Sequence, residues 1–426
     1  MLPGLVDDSL GAIVALFIAS PSIQRWLHIN TKGIAYTGIN IETLRKMPIP
    51  LPPRSEQHRI VEEIEKQFTR LDAAMAALER ARANLKRYRA SVLKAACEGR
   101  LVPTEAELAR AESRDYEPAD PLLARTLQER RAKWEADQLA RMRTQGKAAK
   151  DDKWKEKYQE PAGPDTEDLL ELPDLPEGWT WASLGQLVWS VKDGPHYSPQ
   201  YVAEGIPFIT GGNVRPAGVD FEGAKHIAPE LHAELCKRCR PEVGDILYTK
   251  GGTTGIARVN TYSREFSVWV HVAVLKLVGP TDPFYVQHAL NSSFCYAQAQ
   301  RYTHGVGNQD LGLTRMVKIV LGLPPFPEQH RIVSEVERRL SVIDELEAAV
   351  AVNLKRTERL RQAILKRAFE GKIVPQDPND EPASVLLERI RAERQAEQKA
   401  TAKALNRPSQ KSKRPQVAGI QAELFR

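Results

Sequence analysis

Apolar residues recur at steps of four and three along two stretches of this chain. After Pro52-Pro53 they fall at Ile60, Ile64, Phe68, Leu71, Met75, Leu78 and Leu85, with no Pro or Gly between Ser55 and Gly99. After Pro324-Pro325 they fall at Val336, Leu340, Ile343, Val350 and Leu354, with Glu347 interrupting the row. That spacing predicts the seam of a coiled coil. A helix of roughly 37 residues spans about 55 Å. One such helix cannot bury its stripe, so helices starting near Glu56 and Glu328 are expected to pack against each other, antiparallel. A generic dimerisation coil fits the pattern too. A paired spacer fits better with what lies around it, because about 55 Å is roughly 16 base pairs at 3.4 Å each.

The two stretches are copies. Residues 52–103 repeat as 324–375 at an offset of 272 without a gap, with 22 identities in 52 positions, where composition alone would give roughly one in sixteen. Backwards, the offset puts Ser20 on Ser292, Thr31 on Thr303 and Gly33 on Gly305. Forwards, Glu117-Pro118-Ala119 resembles Glu381-Pro382-Ala383 at an offset of 264. The repeat unit is therefore a globular part, a long helix and a charged helical extension. Met1 aligns with Ala273, inside an apolar run that reads as a strand, so about 96 residues of the second copy (177 to 272) have no counterpart in the first.

Between the helices the pattern changes. Short strand-like runs, Ile206–Ile209, Asp245–Thr249 and Ser267–Leu275, alternate with turn signals, and a helix is expected over Phe284–Arg301. The matching helix of the first copy is expected near Leu10–His28. Its apolar face (Ile13, Leu16, Phe17, Ile23) would have no sheet to cover it, favouring association. The fold class is α+β, with loop-rich globular units and two long helices. Polar side chains gather on the loops: Lys192, His196 and Tyr197; Asn213 and Arg215; Lys250, Thr253 and Thr254; His304, Asn308 and Gln309. Such residues, on Gly-rich turns that let a backbone approach a phosphate, are the types that contact phosphates and base edges. Lys250 is expected to contribute affinity on every sequence, and Asn308 and Gln309 to contribute preference. Solvated polar loops carry the same residues.

Composition adds little. Net charge is +6, and the seven Lys/Arg against one Glu between Arg394 and Arg414 account for all of it, so any nucleic-acid contact elsewhere must use local patches. Residues 394–426 hold too few large apolar residues to fold, so a helix fraying near Leu405 and then disorder are expected. Four cysteines make no disulfide framework and suit a reducing cytosol. Cys236-Lys-Arg-Cys239 has no second ligand pair nearby for zinc. Lys250-Gly-Gly-Thr-Thr-Gly255 lacks the order of a phosphate loop. No hydrolase or zincin motif is present. The apolar run Leu10–Ala19 is too short for a bilayer.

Three features together resemble the specificity (S) subunits of Type I restriction–modification systems. These are the tandem Leu-Pro-Pro-x-x-Glu-Gln-x-x-Ile-Val segments at Leu51–Val61 and Leu323–Val333, and the helix endings Glu98–Pro103 and Glu370–Pro375. The third is a recognition-domain pattern: the opening Leu175–Gly185, then Asp193-Gly194-Pro195, Gly205–Phe208 and Gly244–Ile246. The resemblance implies a non-catalytic cytoplasmic subunit without cofactor of its own. Each of its recognition domains reads half of a split sequence in double-stranded DNA. Its helices set the gap between half-sites. It recruits methyltransferase (M) subunits, which bind S-adenosylmethionine, and restriction (R) subunits, which use ATP and Mg²⁺. On this frame 1–51 is the remnant of a first recognition domain, 52–103 the first helix and 104–174 an extension or linker. A complete second domain occupies 175–323, the second helix 324–375 and a basic tail 376–426. The short first domain leaves three expectations open: a whole reader whose start lies upstream, a half-subunit pairing as a symmetric homodimer, or an assembly protein that no longer reads.

Overall fold

The computed structural model describes residues 8–31, 38–146, 151–165, 172–305 and 309–405. The chain divides into two compact units, Met1–Arg80 with Val350–Arg426, and Ala81–Ala349. Helices α1 (Asp8–Ile18), α2 (Pro21–Asn30), α3 (Ile41–Leu44) and α4 (Arg54–Cys97) come first, then α5 (Glu105–Glu112) and α6 (Ala119–Thr144). The mixed part runs β1 (Thr180–Ser183), α7 (Leu184–Leu187), β2 (Val188–Asp193), β3 (Ile206–Ile209), β4 (Val214–Arg215), β5 (Gly218–Val219), β6 (Lys225–Ile227), α8 (Pro229–Cys236), β7 (Ile246–Thr249), β8 (Ala257–Val259), β9 (Ser267–Val268) and β10 (Val272–Leu277). It ends with α9 (Pro283–Leu290), α10 (Ser293–Arg301), α11 (Leu313–Met316) and β11 (Val320–Leu323); α12 (Phe326–Phe369) and α13 (Ala383–Leu405) follow.

The long helices α4 and α12 have 44 residues each, about 66 Å at 1.5 Å per residue. They begin two residues before Glu56 and Glu328, and Pro327 is tolerated because it sits in the first turn. In the first unit Ile60, Val61 and Ile64 cluster with Leu365 and Ala368. In the second, Ile332, Val333 and Val336 cluster with Leu93 and Ala96. Those residues are the same positions exchanged by 272. Ion pairs exchange likewise: Arg361 pairs with Asp72 in one unit, and Arg89 with Asp344 in the other. A parallel pair would set each residue beside its own copy; the exchange requires an antiparallel pair. Both helices stop on a left-handed glycine, Gly99 (φ +64°) and Gly371 (φ +66°). The following amides, of Arg100 and Lys372, donate back to Ala95 O and Arg367 O at 2.9 Å, the geometry that satisfies the last carbonyls. Between the ends, Leu71, Met75, Leu78, Leu85, Val350 and Leu354 are only half-buried. Val342, Leu346, Val352 and Leu360 are exposed.

The single helix expected over Leu10–His28 is two, α1 and α2, bent by 66° at Ala19-Ser20. The counterpart over Phe284–Arg301 breaks at the matching place, with Ser292 capping α10 by accepting the Cys295 N–H. No single helix among the described residues is long and apolar enough to cross a membrane. The apolar face of α1 is also covered, contrary to expectation. Ile13, Phe17 and Ile23 are buried, and Leu16 is half-buried. The rings of Phe17 and Phe369 meet edge to face at 4.9 Å, and Ile13 joins the helix-end cluster. The ends of the long helices do the work assigned to a sheet, at about 1.5–3 kcal/mol per buried side chain.

In the second unit β2-β10-β7-β8 form an antiparallel sheet, β6-β3-β9 a smaller mixed one, and β1-β11 and β4-β5 two ribbons. The run Ser267–Leu275 is not one strand. It turns at Trp269–His271, with Val272 N donating to Trp269 O at 2.9 Å, because its two parts serve different sheets. The first extension packs on this unit. Leu122 and Thr126 of α6 are buried, and Ala119 N donates to Gly178 O at 2.8 Å. Glu328 joins the start of α12 to the domain. It is buried and accepts Trp179 Nε1–H at 2.9 Å and Glu105 N–H at 2.8 Å. Burial lifts its carboxyl above the usual range despite both donors. Helix α13 reaches Leu405; the tail expected to be disordered, 406–426, lies outside the described residues.

Candidate nucleic-acid interface

The register of the four-stranded sheet collects the loops. Asp193 of β2 stands opposite Ala273, and Thr249 of β7 opposite Val272. The chain therefore leaves β2 and β7, and enters β10, at one end of the sheet. A group of charges ties these loops. Lys250 Nζ lies 2.7 Å from Asp310 Oδ1 and 3.6 Å from Asp193 Oδ2. Asp193 also meets Arg238 at 2.7 Å and His196 at 3.3 Å. Backbone bridges join Gly251 to Asp310 and His304 to Asp310, and Arg315 clamps the carbonyls of Asp310 and Tyr302. Gly211 packs on the same place, where an added Cβ would stand 3.1 Å from Gly251 O.

His196, Tyr197, Thr253, His304 and Gln309 are exposed on this loop end. Lys192 is exposed on the last residues of β2, and Arg215 on the β4–β5 ribbon pairs with Asp220 at 2.7 Å. Asn308 lies outside the described residues. Three expectations are corrected. Lys250 is buried and neutralised by two carboxylates, so it is not a free loop cation for phosphate. Asn213 is buried too, with Oδ1 accepting from Thr210 N at 3.0 Å and Nδ2 donating to Asp220 O at 3.2 Å. Both of its polar ends hold the turn. Thr254 is buried beneath the loop, its carbonyl accepting from Gln300.

Sequence reasoning missed several neighbours. Trp269 and His271 pack ring on ring at 4.7 Å, and Trp269 Nε1 donates to Tyr197 O at 3.2 Å. The signal was the alternation in Trp269-Val-His271, read as plain strand. The extension was read only as charged, yet Trp134, Trp154 and Tyr158 form an aromatic cluster there. Among the described residues no group of three His, Cys, Asp or Glu is placed to hold a metal. Cys239 faces the core, where burial pushes its thiol up to about 12.

Comparison with known proteins agrees with this architecture. The model of the Type I restriction modification DNA specificity domain matches residues 12–84 and 176–356, more than half of the chain. The chain belongs to that family. The specificity subunit of the Escherichia coli Type I restriction enzyme EcoBI is 25% identical over 392 residues, covering 89% of this chain and 71% of its own. That of EcoDI is 24% identical over 390 residues, covering 86% and 73%. A solved structure, described as the structural basis underlying complex assembly and conformational transition of the type I R-M system, aligns with a TM-score of 0.50 at 19% identity. It covers 85% of this chain and 68% of the other, and it supports the fold alone. As a specificity subunit the chain is a DNA-recognition protein and not an enzyme.

The recognition-domain motifs of this specificity subunit act mostly on the fold. A Cβ on Gly194 would fall 1.8 Å from Val268 O, so only glycine lets the β2 loop pass β9. Asp245 accepts from Glu242 N at 2.7 Å and from Lys276 Nζ at 2.6 Å. Burial raises its carboxyl in spite of the lysine, while the Lys276 hydrogen bond holds the exposed Glu242 carboxyl low.

Proposed function

We propose that residues 175–323 read one short half-sequence of duplex DNA through the loop end of the four-stranded sheet. His196, Tyr197, Thr253, His304 and Gln309 reach base edges in this reading, while Lys192 and Arg215 meet phosphates. The observation that carries it is the convergence of these loops on one knot of buried charge. A reader needs its side chains held in fixed register against a groove, and phosphate contacts position while base contacts specify. Within the second unit α12 leaves Val342 and Leu346 exposed, which supports a second role. In it the helices receive M subunits, which bind S-adenosylmethionine, and R subunits using ATP and Mg²⁺ join that assembly.

The test is to map methylated positions in cells given this gene and one methyltransferase partner. The expected result is a single recurrent sequence containing a fixed half-site. A split target with two unrelated halves, or a symmetric one, would each fit the reading and would describe the second half. Methylation absent or scattered without sequence would contradict it.

A further inference from the structure

A second charged surface lies beside the loop end and shares Lys192 with it. Helix α6 presents Arg130, Lys133, Trp134, Asp137 and Arg141 at steps of three and four, so they share one face. Opposite that face runs β2, with Trp189 (36% exposed) and Lys192. Together they line a groove of about 310 Å³ holding four cations and one carboxylate. The groove is built and held open. Arg130 donates to Val188 O and to Tyr158 Oη, each at 3.0 Å. Tyr158 packs on Trp134 at 5.3 Å, and Trp134 stacks on Trp154 at 5.9 Å. Lys133 Nζ sits 4.3 Å from the centre of the Trp189 ring. Lys133, Arg141 and Lys192 are exposed; none is in an ion pair among the described residues, and Glu242 is the carboxylate that feels the Lys133 charge.

We infer that this groove grips the phosphate backbone of the DNA that the loop end reads, beyond the bases it contacts. The inference rests on the reading above and extends it to the extension helix. Three observations favour duplex phosphate over an acidic peptide. Lys192 borders both surfaces, one residue before the Asp193 of the knot. From Arg130 to Arg141 the helix rises about 16 Å, the axial reach of about five phosphates of one strand at 3.4 Å each. The cations also line a fixed wall, whereas a peptide that buried its backbone would want apolar pockets for alternate side chains, and here the Trp189 indole of that wall is capped by Lys133.

The experiment uses the full chain, the Lys133→Ala/Arg141→Ala variant and, separately, Lys192→Ala. The probes are a 40-base-pair duplex of random sequence and the same duplex carrying the mapped target, each titrated across a salt series. Each lost phosphate contact should reduce the slope of log K against log salt by about 0.9, hence by about 1.8 for the double variant. Affinity should fall by the same factor on both duplexes, leaving the preference ratio intact, with unchanged thermal unfolding. An unaltered slope in both variants would overturn the inference. So would loss of binding to a poly-glutamate peptide with the DNA slope intact. A wild-type chain that holds both duplexes equally would count against the half-site reading alone, because the slope would still decide the groove.

Discussion

Two sets of ion pairs in this molecule use the same side-chain chemistry to opposite effect. Along the helices, Arg89–Asp344 and Arg361–Asp72 lie at the surface, with side chains 30–64% exposed. Solvent screens them, and such pairs contribute about 0.2–1 kcal/mol. They mark the antiparallel register; the buried clusters at the helix ends enforce it. At the loop end, Lys250 and Asp193 are each 3% exposed. Desolvation makes that knot a poor source of net stability but a costly thing to break, because removing Lys250 leaves the buried Asp193 with only partners at the exposed rim, Arg238 and His196. The difference teaches where charge sets geometry. Exposed pairs can be exchanged freely, whereas the knot determines how three loops stand.

The knot is the place to break the comparison first. Lys250→Met should destabilise the second unit by about 1–3 kcal/mol, seen as a melting point lower by about 5 °C. Replacing Asp310 by Asn in the same chain should restore part of that loss. A variant that melts like wild type but loses salt-dependent DNA affinity would mean that Lys250 meets phosphate after all.

His288 sharpens the point that burial, not charge, is the cost. It is buried in α9 with no hydrogen-bond partner for Nε2, and burial pushes its imidazole down to about 4. The unfolded chain takes up the proton near pH 6.5, the folded one only near pH 4, so the stability this neutral ring permits is lost as pH falls from 6.5 toward 4. At pH 4.5 the loss should be about 2–3 kcal/mol. Denaturant midpoints at pH 7 and 4.5 should converge in His288→Leu relative to wild type; an equal drop in both would contradict it.

Gln309 stands exposed next to Asp310 of the knot, on the loop end proposed to read DNA. Gln309→Ala should keep stability and lower discrimination at one base position by about 1–3 kcal/mol, measured by competition with single-base variants of the target. Unchanged discrimination would remove Gln309 from the reading set. The smallest effect belongs to the helices. A double-mutant cycle on Arg361 and Asp72 should give a coupling of about 0.2–1 kcal/mol that shrinks with salt. A coupling above 2 kcal/mol would place that pair in the class of the knot.

The helices were legible because a seam and a gapless offset carry pairwise information. Once Ile64 is known to lie on the stripe, its copy Val336 follows, and an antiparallel exchange names Leu365 and Leu93 as the other partners. The loops were legible only as loops. Lys250 and Lys192 look alike in sequence, and what separates them is a carboxylate 60 positions away, Asp310. Asn213 reads as a base-pairing amide until the turn it closes is seen. The break at Ser20 and Ser292 was hidden because both halves of the helix keep one apolar period. The groove under α6 was hidden because its indoles lie in different segments, at Trp134 and Trp189.

The most direct test of the central claim is an exchange of residues 176–323 for the corresponding domain of the EcoBI specificity subunit, followed by mapping of methylated sites with the same methyltransferase partner. The account expects one half-site of the target to change to a new fixed sequence, with methylation retained and any other half untouched. An unchanged target after the exchange would place the reading of sequence outside this domain and contradict the account.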